Sequence, residues 1–304
     1  LTGVVVSNKV YDGTTTATAD FSAASLVGIV GDHPNVDFDA SAAVVAFATA
    51  GAADGKQVRI TGITLTGDDA AFYIIGTQFT TANITKKDLN LRAVEGQSKV
   101  YGELDPVINY EYMSGLIGGE DISVVSGAPA RDAGEDVGFY IIRKGTLDAA
   151  NYSIIFTQRN FEITPRSLRL VNFFANNKIY DGNTNVTGAT FEEHPDDFLV
   201  ADELEYSFTV AFEDANVGEG KSVLFADIQI IGGADQFNYN LASTEGEGFA
   251  DITAKDLYLR AVSGQSKVYG DVDPVLEYEY LSGLIDGETL DVVSGVPARD
   301  AGED

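Results

Sequence analysis

The sequence contains no cysteine and no tryptophan, and its basic residues are few. Without cysteine the chain has neither disulfides nor thiol chemistry. Lys and Arg number 19 against 47 Asp and Glu, which gives a net charge of −28. A field of this sign repels nucleic acid phosphates and anionic membrane surfaces, and it favours cation binding. The composition therefore argues against nucleic acid as a partner.

Long apolar runs and the common catalytic motifs are also missing. No stretch of about 18 apolar residues occurs, so no membrane-spanning helix is expected. The sequence has no Gly-x-Ser-x-Gly, no His-Glu-x-x-His and no phosphate-binding loop. Its two histidines, His33 and His194, each precede a proline, and one His per domain without cysteine does not build a usual zinc site. We expect no enzyme activity and no required cofactor.

Internal repetition is the strongest positive feature. Residues 87–136 recur at 255–304 without a gap, and 12 of the 50 positions differ, so 38 are identical. A shorter repeat interleaves with it, because KVYDGT at 9–14 returns as KIYDGN at 178–183. The fourth repeat lacks a counterpart of residues 137–165, and we interpret the chain as part of a longer array. The repeats divide the chain into four expected β domains: 1–86, 87–165, 166–253 and 254–304.

The residue pattern between the turns is that of strands. Tyr110 and Tyr112 share one face of the segment 107–113, and Tyr278 and Tyr280 share the same face in the copy. A period of two is typical of a half-buried strand, so we expect these tyrosines in the core. Helix signals are nearly missing. The predicted fold class is mostly β, with small domains of either an immunoglobulin-like β-sandwich or a β-grasp-like type.

Three further strands are predicted from apolar runs bounded by turns. One covers 138–143, and a longer one covers 152–163 with a break near Gln158. In the first domain, a strand is expected around 72–75 after the turn at Gly67.

The junctions between the expected domains are short. Thr85, Pro165 and Thr253 lie at the three junctions, none of which is rich in Gly and Ser, and the proline stiffens its junction. A domain of about 80 residues is roughly 30 Å across, so four in line would reach about 120 Å. The sequence therefore predicts domains arranged end to end as an extended rod.

These motifs resemble two repeat families of large bacterial surface proteins. KVYDGTT at 9–15 and KIYDGNT at 178–184 resemble the YDG domain, and KVYGELDP at 99–106 and KVYGDVDP at 267–274 resemble the MBG domain of the YGX type. The resemblance covers nearly the whole chain. It implies repeats of secreted or surface-anchored adhesins, without catalytic residues, and hence an extracellular location on a bacterial cell surface.

The residues expected to matter are structural. They are the Tyr and Gly of each turn, the inward tyrosines and one junction proline: Tyr11, Gly13, Tyr101, Gly102, Tyr110, Tyr112, Pro165, Tyr180, Gly182, Tyr269, Gly270, Tyr278 and Tyr280.

Calcium binding and an isopeptide bond are two hypotheses that each have an ordinary structural alternative. Acidic turns could bind calcium. The alternative is that their carboxylates stabilise turns and add solubilising charge. The weak candidate ligands are Asp68, Asp69, Asp132, Glu135 and Asp136. The repeated strand lysines, Lys9, Lys99, Lys178 and Lys267, raise the hypothesis of an isopeptide bond to an Asn such as Asn151 with an acidic neighbour such as Glu162. The alternative there is a solvated lysine.

The leading hypothesis for function is a structural spacer, or stalk, in a surface adhesin or extracellular fibre. Its expected partners are neighbouring repeats of the same chain. The alternative is an adhesive module whose loops contact a glycan, a host protein or another copy of the chain, including self-association into fibres. Aromatic residues that follow strand periodicity favour the spacer.

Overall fold

A computed structural model describes residues 1–302. The chain divides into two compact units, of which unit 1 is Leu1–Thr164 and unit 2 begins at Pro165. Positions 303–304, which end the fourth expected domain, lie outside the described residues. Within the described part there are 27 strands and three single-turn 3₁₀ helices but no α-helix, which confirms the mostly-β prediction. The same part of the chain holds no helix long and apolar enough to cross a membrane. Each unit contains two of the four expected domains, whose boundaries stay a prediction.

Unit 1 is built from 17 strands and two 3₁₀ helices, Ala70–Phe72 and Ile122–Val124. The strands are β1 (Val5–Val6), β2 (Lys9–Val10), β3 (Ala19–Asp20), β4 (Asp37–Asp39), β5 (Val44–Phe47), β6 (Ala53–Thr61), β7 (Thr64–Thr66), β8 (Gln78–Thr85), β9 (Lys87–Ala93), β10 (Gln97–Val100), β11 (Tyr110–Ser114), β12 (Val125–Ser126), β13 (Ala130–Arg131), β14 (Gly138–Arg143), β15 (Asp148–Ala149), β16 (Tyr152–Thr157) and β17 (Arg159–Thr164). Its larger sheets have the strand orders β2-β8-β6-β5, β10-β17-β14-β13 and β11-β9-β16.

Unit 2 repeats much of this plan, and its 3₁₀ helix is Leu290–Val292. Its strands are β18 (Arg166–Leu168), β19 (Leu170–Ala175), β20 (Lys178–Ile179), β21 (Ala189–Glu193), β22 (Glu205–Phe212), β23 (Gly218–Gly232), β24 (Tyr239–Leu241), β25 (Gly246–Thr253), β26 (Tyr258–Ala261) and β27 (Tyr278–Ser282). The main sheet has the order β21-β19-β25-β23-β22, and β20 also pairs with β25.

Each Lys-x-Tyr strand runs parallel to a strand that comes much later in the chain. In the first such pair, β2 with β8, Lys9 lies opposite Ile84 and Val10 lies opposite Thr85. The pairs β10 with β17 and β20 with β25 have the same parallel arrangement. The next residue extends the ladder, because the Tyr11 N–H donates to the Thr85 carbonyl at 2.9 Å. In a parallel pair both strands end at the same edge. The turn after Tyr11 therefore lies where the chain leaves β8 and enters β9.

The core of unit 1 crosses position 86, where two of the expected domains meet. Leu89 and Leu91 of β9 are fully buried, and they pack in one cluster with residues from both sides of that position. The cluster consists of Tyr11, Phe47, Val58, Ala82, Ile84, Leu89, Leu91, Leu147, Ala149 and Tyr152. Burial of an aliphatic side chain stabilises the fold by about 1.5–3 kcal/mol. The two halves of unit 1 are thus joined by apolar packing as well as by the chain.

Most of the strand predictions are confirmed. Observed β14 spans Gly138–Arg143, and the long strand is split at Gln158 into β16 and β17. The strand expected at 72–75 is wrong. A 3₁₀ turn ends at Phe72, and Tyr73 then uses its hydroxyl to accept from the Val30 N–H at 3.0 Å and to donate to the His33 carbonyl at 2.9 Å. These bonds hold the segment against a loop instead of a sheet.

The prediction that all four strand tyrosines lie in the core is also wrong. Tyr110 and Tyr278 are half-buried, but Tyr112 is 45% exposed and Tyr280 is 41% exposed. Strand β11 is an edge strand of its sheet, and its register shifts after Tyr112. Packing covers only the start of this edge strand, so the second tyrosine of each pair faces solvent.

Candidate functional site

Lys9–Thr14 folds into a turn closed by its own lysine, and we name it and its copy Lys178–Asn183 the tyrosine turns. The Lys9 ammonium donates to the Asp12 carboxylate and to the Thr14 carbonyl, each at 2.8 Å. Asp12 also accepts the Thr14 N–H at 2.9 Å. The bond from Lys9 and the bond from the Thr14 backbone hold the pKa of Asp12 at about 2, below its usual 3.8. Gly13 supplies the positive φ of 78° that the turn requires.

The second tyrosine turn repeats this arrangement. The Lys178 ammonium lies 2.6 Å from Asp181 and donates to the Asn183 carbonyl at 2.7 Å. Both turn lysines also lie near an aromatic ring, at 5.7 Å from the Phe47 centroid and 5.6 Å from the Phe212 centroid. The strand lysines of these turns therefore close their own turns. These contacts are not those of the proposed isopeptide pairing.

The tyrosine of the first turn contacts a glutamate from the other half of unit 1. The Tyr11 hydroxyl donates to Glu120 Oε1 at 2.5 Å, and the Tyr152 hydroxyl donates to the second oxygen of the same carboxylate. The two rings meet edge to face, with centroids 5.5 Å apart and an interplanar angle of 81°. Tyr152 in turn accepts the Ile117 N–H at 3.1 Å. One carboxylate thus holds two phenols from different halves of the unit.

The environment of this pair raises the pKa of both phenols. The hydrogen bond to Glu120 is the main cause for Tyr11, and burial is the main cause for Tyr152, whose pKa rises to about 12. Both groups are therefore neutral hydrogen-bond donors over the physiological pH range. The carboxylate accepts from both of them, and charge-assisted bonds of this type are stronger than neutral ones.

The same contact recurs in unit 2. The Tyr180 hydroxyl donates to Glu288 Oε1 at 2.7 Å. We name the segments that carry these glutamates, Ser114–Glu120 and Ser282–Glu288, the glutamate loops. An isoleucine of each loop covers the glycine of the turn, since a Cβ built on Gly13 or Gly182 would lie 2.5 Å or 2.2 Å from the isoleucine Cδ1. The glycine is needed for close approach as well as for φ.

Polar bonds at the rim complete the contact between the two halves of unit 1. The Asn151 side-chain oxygen accepts the Ala52 N–H at 2.9 Å, and within the second half the Asn151 carbonyl accepts the Lys87 N–H at 3.0 Å. The Lys86 ammonium donates to the Ala149 carbonyl at 2.8 Å. We name this whole contact, formed by the tyrosine turn, the glutamate loop and these rim bonds, the seam. It combines a continuous apolar core with satisfied polar groups, the arrangement expected of a stiff joint.

A second cluster of charged groups lies under the Tyr101 turn. Arg131 binds Asp105 at 2.7 Å and Glu135 at 2.7 Å, and the Lys99 ammonium binds Asp105 at 2.8 Å and also contacts Glu135. The side chains of both cations are almost fully buried. In unit 2, Asp273 likewise lies 2.7 Å from Lys267 and 2.9 Å from Arg299.

Three of the acidic residues considered for calcium have partners within the fold. Glu135 serves Arg131 and Lys99, Asp132 pairs with Arg143, and Asp69 accepts the Asn35 N–H at 2.8 Å. Among the described residues, no group of three or more His, Cys, Asp or Glu is arranged to hold a metal ion. Each of these three carboxylates therefore binds a cationic side chain or a backbone N–H of the fold.

Acid should weaken the ion cluster in a defined pH window. The Arg131 guanidinium, and after it Lys99, hold the pKa of Asp105 at about 2, below its usual 3.8. Because the folded-state pKa is lowered, the stabilisation is complete above about pH 4 and is lost as the pH falls towards 2. Asp105→Asn should lower the urea midpoint at pH 6, and this difference should shrink at pH 2.5. A difference of equal size at both pH values contradicts the assignment, and exposed Asp68→Asn is the control.

The structure places the other predicted residues as follows. Tyr101 is buried and its N–H donates to the Thr164 carbonyl at 2.9 Å. Gly102 and Gly270 have positive φ, at 78° and 87°. Tyr269 is exposed, and Pro165 is the first residue of unit 2. The motifs revealed the turn residues but assigned no role to Glu120 and Glu288, and Asn151 was considered only as an isopeptide partner. The two glutamate loops differ only at Gly118, which is Asp286 in the copy, so the identity of the glutamates did not distinguish them from their neighbours.

Comparison with known families divides the chain in the same alternating order. Residues 1–82 and 164–246 match the model of the YDG domain, and residues 89–162 and 259–304 match the model of the MBG domain (YGX type). Both tyrosine turns fall in the first pair of matches, and both glutamate loops fall in the second. No curated protein and no solved structure matches the chain.

Proposed function

Since the chain belongs to the families of tandem YDG and MBG (YGX-type) domains, we propose that it is a structural spacer of a bacterial cell-surface adhesin or extracellular fibre. The observation that carries this proposal is the repeated contact between a tyrosine turn and a glutamate loop, Tyr11 with Glu120 and Tyr180 with Glu288. A spacer needs joints that resist bending. A shared core with hydrogen-bonded phenols supplies such a joint.

The spacer role also fits the remaining chemistry of the chain. Two almost fully buried cations of unit 1, Lys99 and Arg131, bind carboxylates of the same unit. A spacer needs no catalysis and no cofactor. Calcium binding at the acidic turns is a separate proposal on which the spacer role does not depend. The domains are proposed to be small immunoglobulin-like sandwiches or β-grasp-like folds that follow one another end to end outside the cell. Repetition then adds length in proportion to the number of units.

Small-angle X-ray scattering on the 304-residue chain tests the spacer proposal. An end-to-end chain of four domains should reach a maximum dimension of about 120 Å. Its radius of gyration should be roughly 35 Å, whereas a compact globule of this length has a radius of gyration of about 19 Å. A value near 19 Å would show that the domains fold back on one another, and the spacer role would then be abandoned.

A second candidate function is an adhesive module, and exposed aromatic rings favour it. Phe72 in unit 1 and Phe237 in unit 2 lie outside the strands and are 64% and 78% exposed. Rings of this kind are common contact residues at binding surfaces. Binding of the chain to a glycan array or to host cells, lost in the double variant Phe72→Ala/Phe237→Ala, would place this function first.

A further inference from the structure

A cavity of unit 2 lies between the two end strands of its main sheet. The sheet has the order β21-β19-β25-β23-β22, so β21 and β22 form its opposite edges. The ring centroids of Phe191 on β21 and Phe208 on β22 are only 5.2 Å apart, which shows that the sheet curls and brings these edges close together. The cavity between them has a volume of 280 Å³, and its lining consists of Thr190, Phe191, Glu193, Leu204, Tyr206 and Phe208.

Three aromatic rings form the apolar wall of this cavity, and we name the rings of Phe191, Tyr206 and Phe208 the aromatic cage. The Phe191 ring lies 5.1 Å from the Tyr206 ring at an interplanar angle of 80°, and it is inclined to the Phe208 ring by 60°. The fully buried Phe225 supports the cage, because its ring lies 5.6 Å from that of Phe208. The face of an aromatic ring attracts a cation through its quadrupole.

The carboxylate of Glu193 lies in the same cavity without a cationic partner. The basic residues near it in the fold have other partners, since Arg169 binds Asp197 at 2.6 Å and His194 Nδ1 lies 3.9 Å from Asp196. Within the described residues, no ion pair involves Glu193. Its negative charge is therefore available to a ligand.

The neighbouring phenol does not bind this carboxylate either. The Tyr206 hydroxyl is buried, and among residues 1–302 it has no hydrogen-bond partner. Burial is the main cause that raises the pKa of Tyr206, and the charge of Glu193 is the next cause. The carboxylate is thus close enough to act on the phenol without being bound by it. Buried polar groups without partners are rare in folded proteins, and here they indicate that the fold does not use the polar side of the cavity itself.

These groups select one class of ligand. An anion would be repelled by Glu193 and by the net charge of −28. Calcium takes about six to eight oxygen ligands, and this lining offers one carboxylate and two hydroxyls. An alkylammonium ion suits both sides of the cavity, since its charge meets the carboxylate while its methyl groups lie against the rings.

We propose that this cavity is a binding site for a small organic cation of the trimethylammonium class, held by the Glu193 carboxylate and the aromatic cage. The cavity is slightly smaller than the usual small-molecule site of about 300–1,000 Å³, which suits a ligand of few atoms. The proposal concerns unit 2 alone and does not depend on the spacer role.

The corresponding part of unit 1 lacks the cage. Phe47 and Phe212 are counterparts, because each lies close to the lysine of its own tyrosine turn. Phe208 stands four residues before Phe212, whereas Ala43 stands four residues before Phe47. The chain should therefore hold one site of this kind, although it contains two copies of the domain.

The test is a titration of choline into the 304-residue chain, followed by two-dimensional ¹H–¹⁵N NMR. We expect saturable binding of one choline per chain, with the largest chemical-shift changes among the amides of β21 and β22. The neutral isostere 3,3-dimethylbutan-1-ol has carbon in place of the charged nitrogen. It should bind about tenfold more weakly than choline, because it is not attracted by the carboxylate or by the ring quadrupoles.

Matched variants separate the site from the overall charge of the chain. Glu193→Gln should weaken choline binding about tenfold, because it removes the charge that meets the ligand. Glu192→Gln removes an equal charge from the exposed neighbouring residue and should leave binding unchanged. Phe208→Leu keeps an apolar side chain without an aromatic face and should weaken binding about fivefold. Its control is Phe249→Leu, at a position that is 62% exposed, which should have no effect.

Three results would overturn the proposal. The first is an absence of saturable choline binding, and the second is equal affinity for choline and its neutral isostere. Both are measured on the unmodified chain, so the test does not depend on the folding of a variant. The third is an equal loss of binding in Glu193→Gln and Glu192→Gln, because the cation would then be attracted only by the overall charge.

Discussion

Replacing Tyr11 by alanine should lower the free energy of unfolding of unit 1 by about 3–5 kcal/mol, the usual cost of truncating a buried aromatic residue. Tyr11 is 6% exposed, packs against Tyr152 and donates to Glu120. The substitution removes the ring from the shared core and leaves a carboxylate with one phenol instead of two. Urea unfolding followed by circular dichroism measures the loss.

Two matched variants separate the parts of this effect. Tyr11→Phe keeps the ring and removes only the hydroxyl, so it should cost about 1–2 kcal/mol. Tyr112→Ala truncates a tyrosine that is 45% exposed and should cost less than about 1 kcal/mol. If Tyr11→Ala were no worse than Tyr112→Ala, the tyrosine turn would not hold the seam.

Replacing Arg131 by methionine should destabilise unit 1 by about 3 kcal/mol, at the lower end of the range for removing one partner of a buried ion pair. The guanidinium binds Asp105 and Glu135 and lies 5.1 Å from the Tyr140 ring centroid. The carboxylates of Asp105 and Glu135 are partly solvated, at 39% and 68% exposure. Leaving them without the guanidinium therefore costs less than it would in a fully buried site. Thermal and urea unfolding at pH 7 measure the change.

Arg143→Met is the matched control for this substitution. Arg143 also pairs with one aspartate, Asp132, but its side chain is 52% exposed. An exposed ion pair contributes little to stability, so the control should be nearly neutral. Equal effects of the two substitutions would mean that burial of the Arg131 cluster is unimportant for stability.

Local patterns in the sequence were sufficient to find the turns and most strands. Lys9, Tyr11 and Gly13 stand close together in the chain, and their turn is determined by bonds within six residues. The break at Gln158 was likewise visible from local sequence. The partner of Tyr11 is different, because Glu120 is 109 residues away and no periodicity connects the two.

The wrong predictions have a common physical origin. Alternation shows that Tyr110 and Tyr112 share a face, but it does not show how far packing covers that face of an edge strand. The apolar run at 72–75 suits a strand, yet the hydroxyl of Tyr73 finds its partners in a distant loop. Both outcomes depend on tertiary neighbours, which override local propensity.

The central claim is that the seam joins residues 1–164 into one mechanical block. Single-molecule force spectroscopy on the chain, pulled from its two ends, tests this claim most directly. A fully extended residue spans about 3.3–3.6 Å, so unit 1 should unfold in one step that adds about 550 Å of contour length. Tyr11→Ala should divide that step. Two separate steps of roughly 280 Å each in the unmodified chain would contradict the claim, because the two halves would then unfold independently.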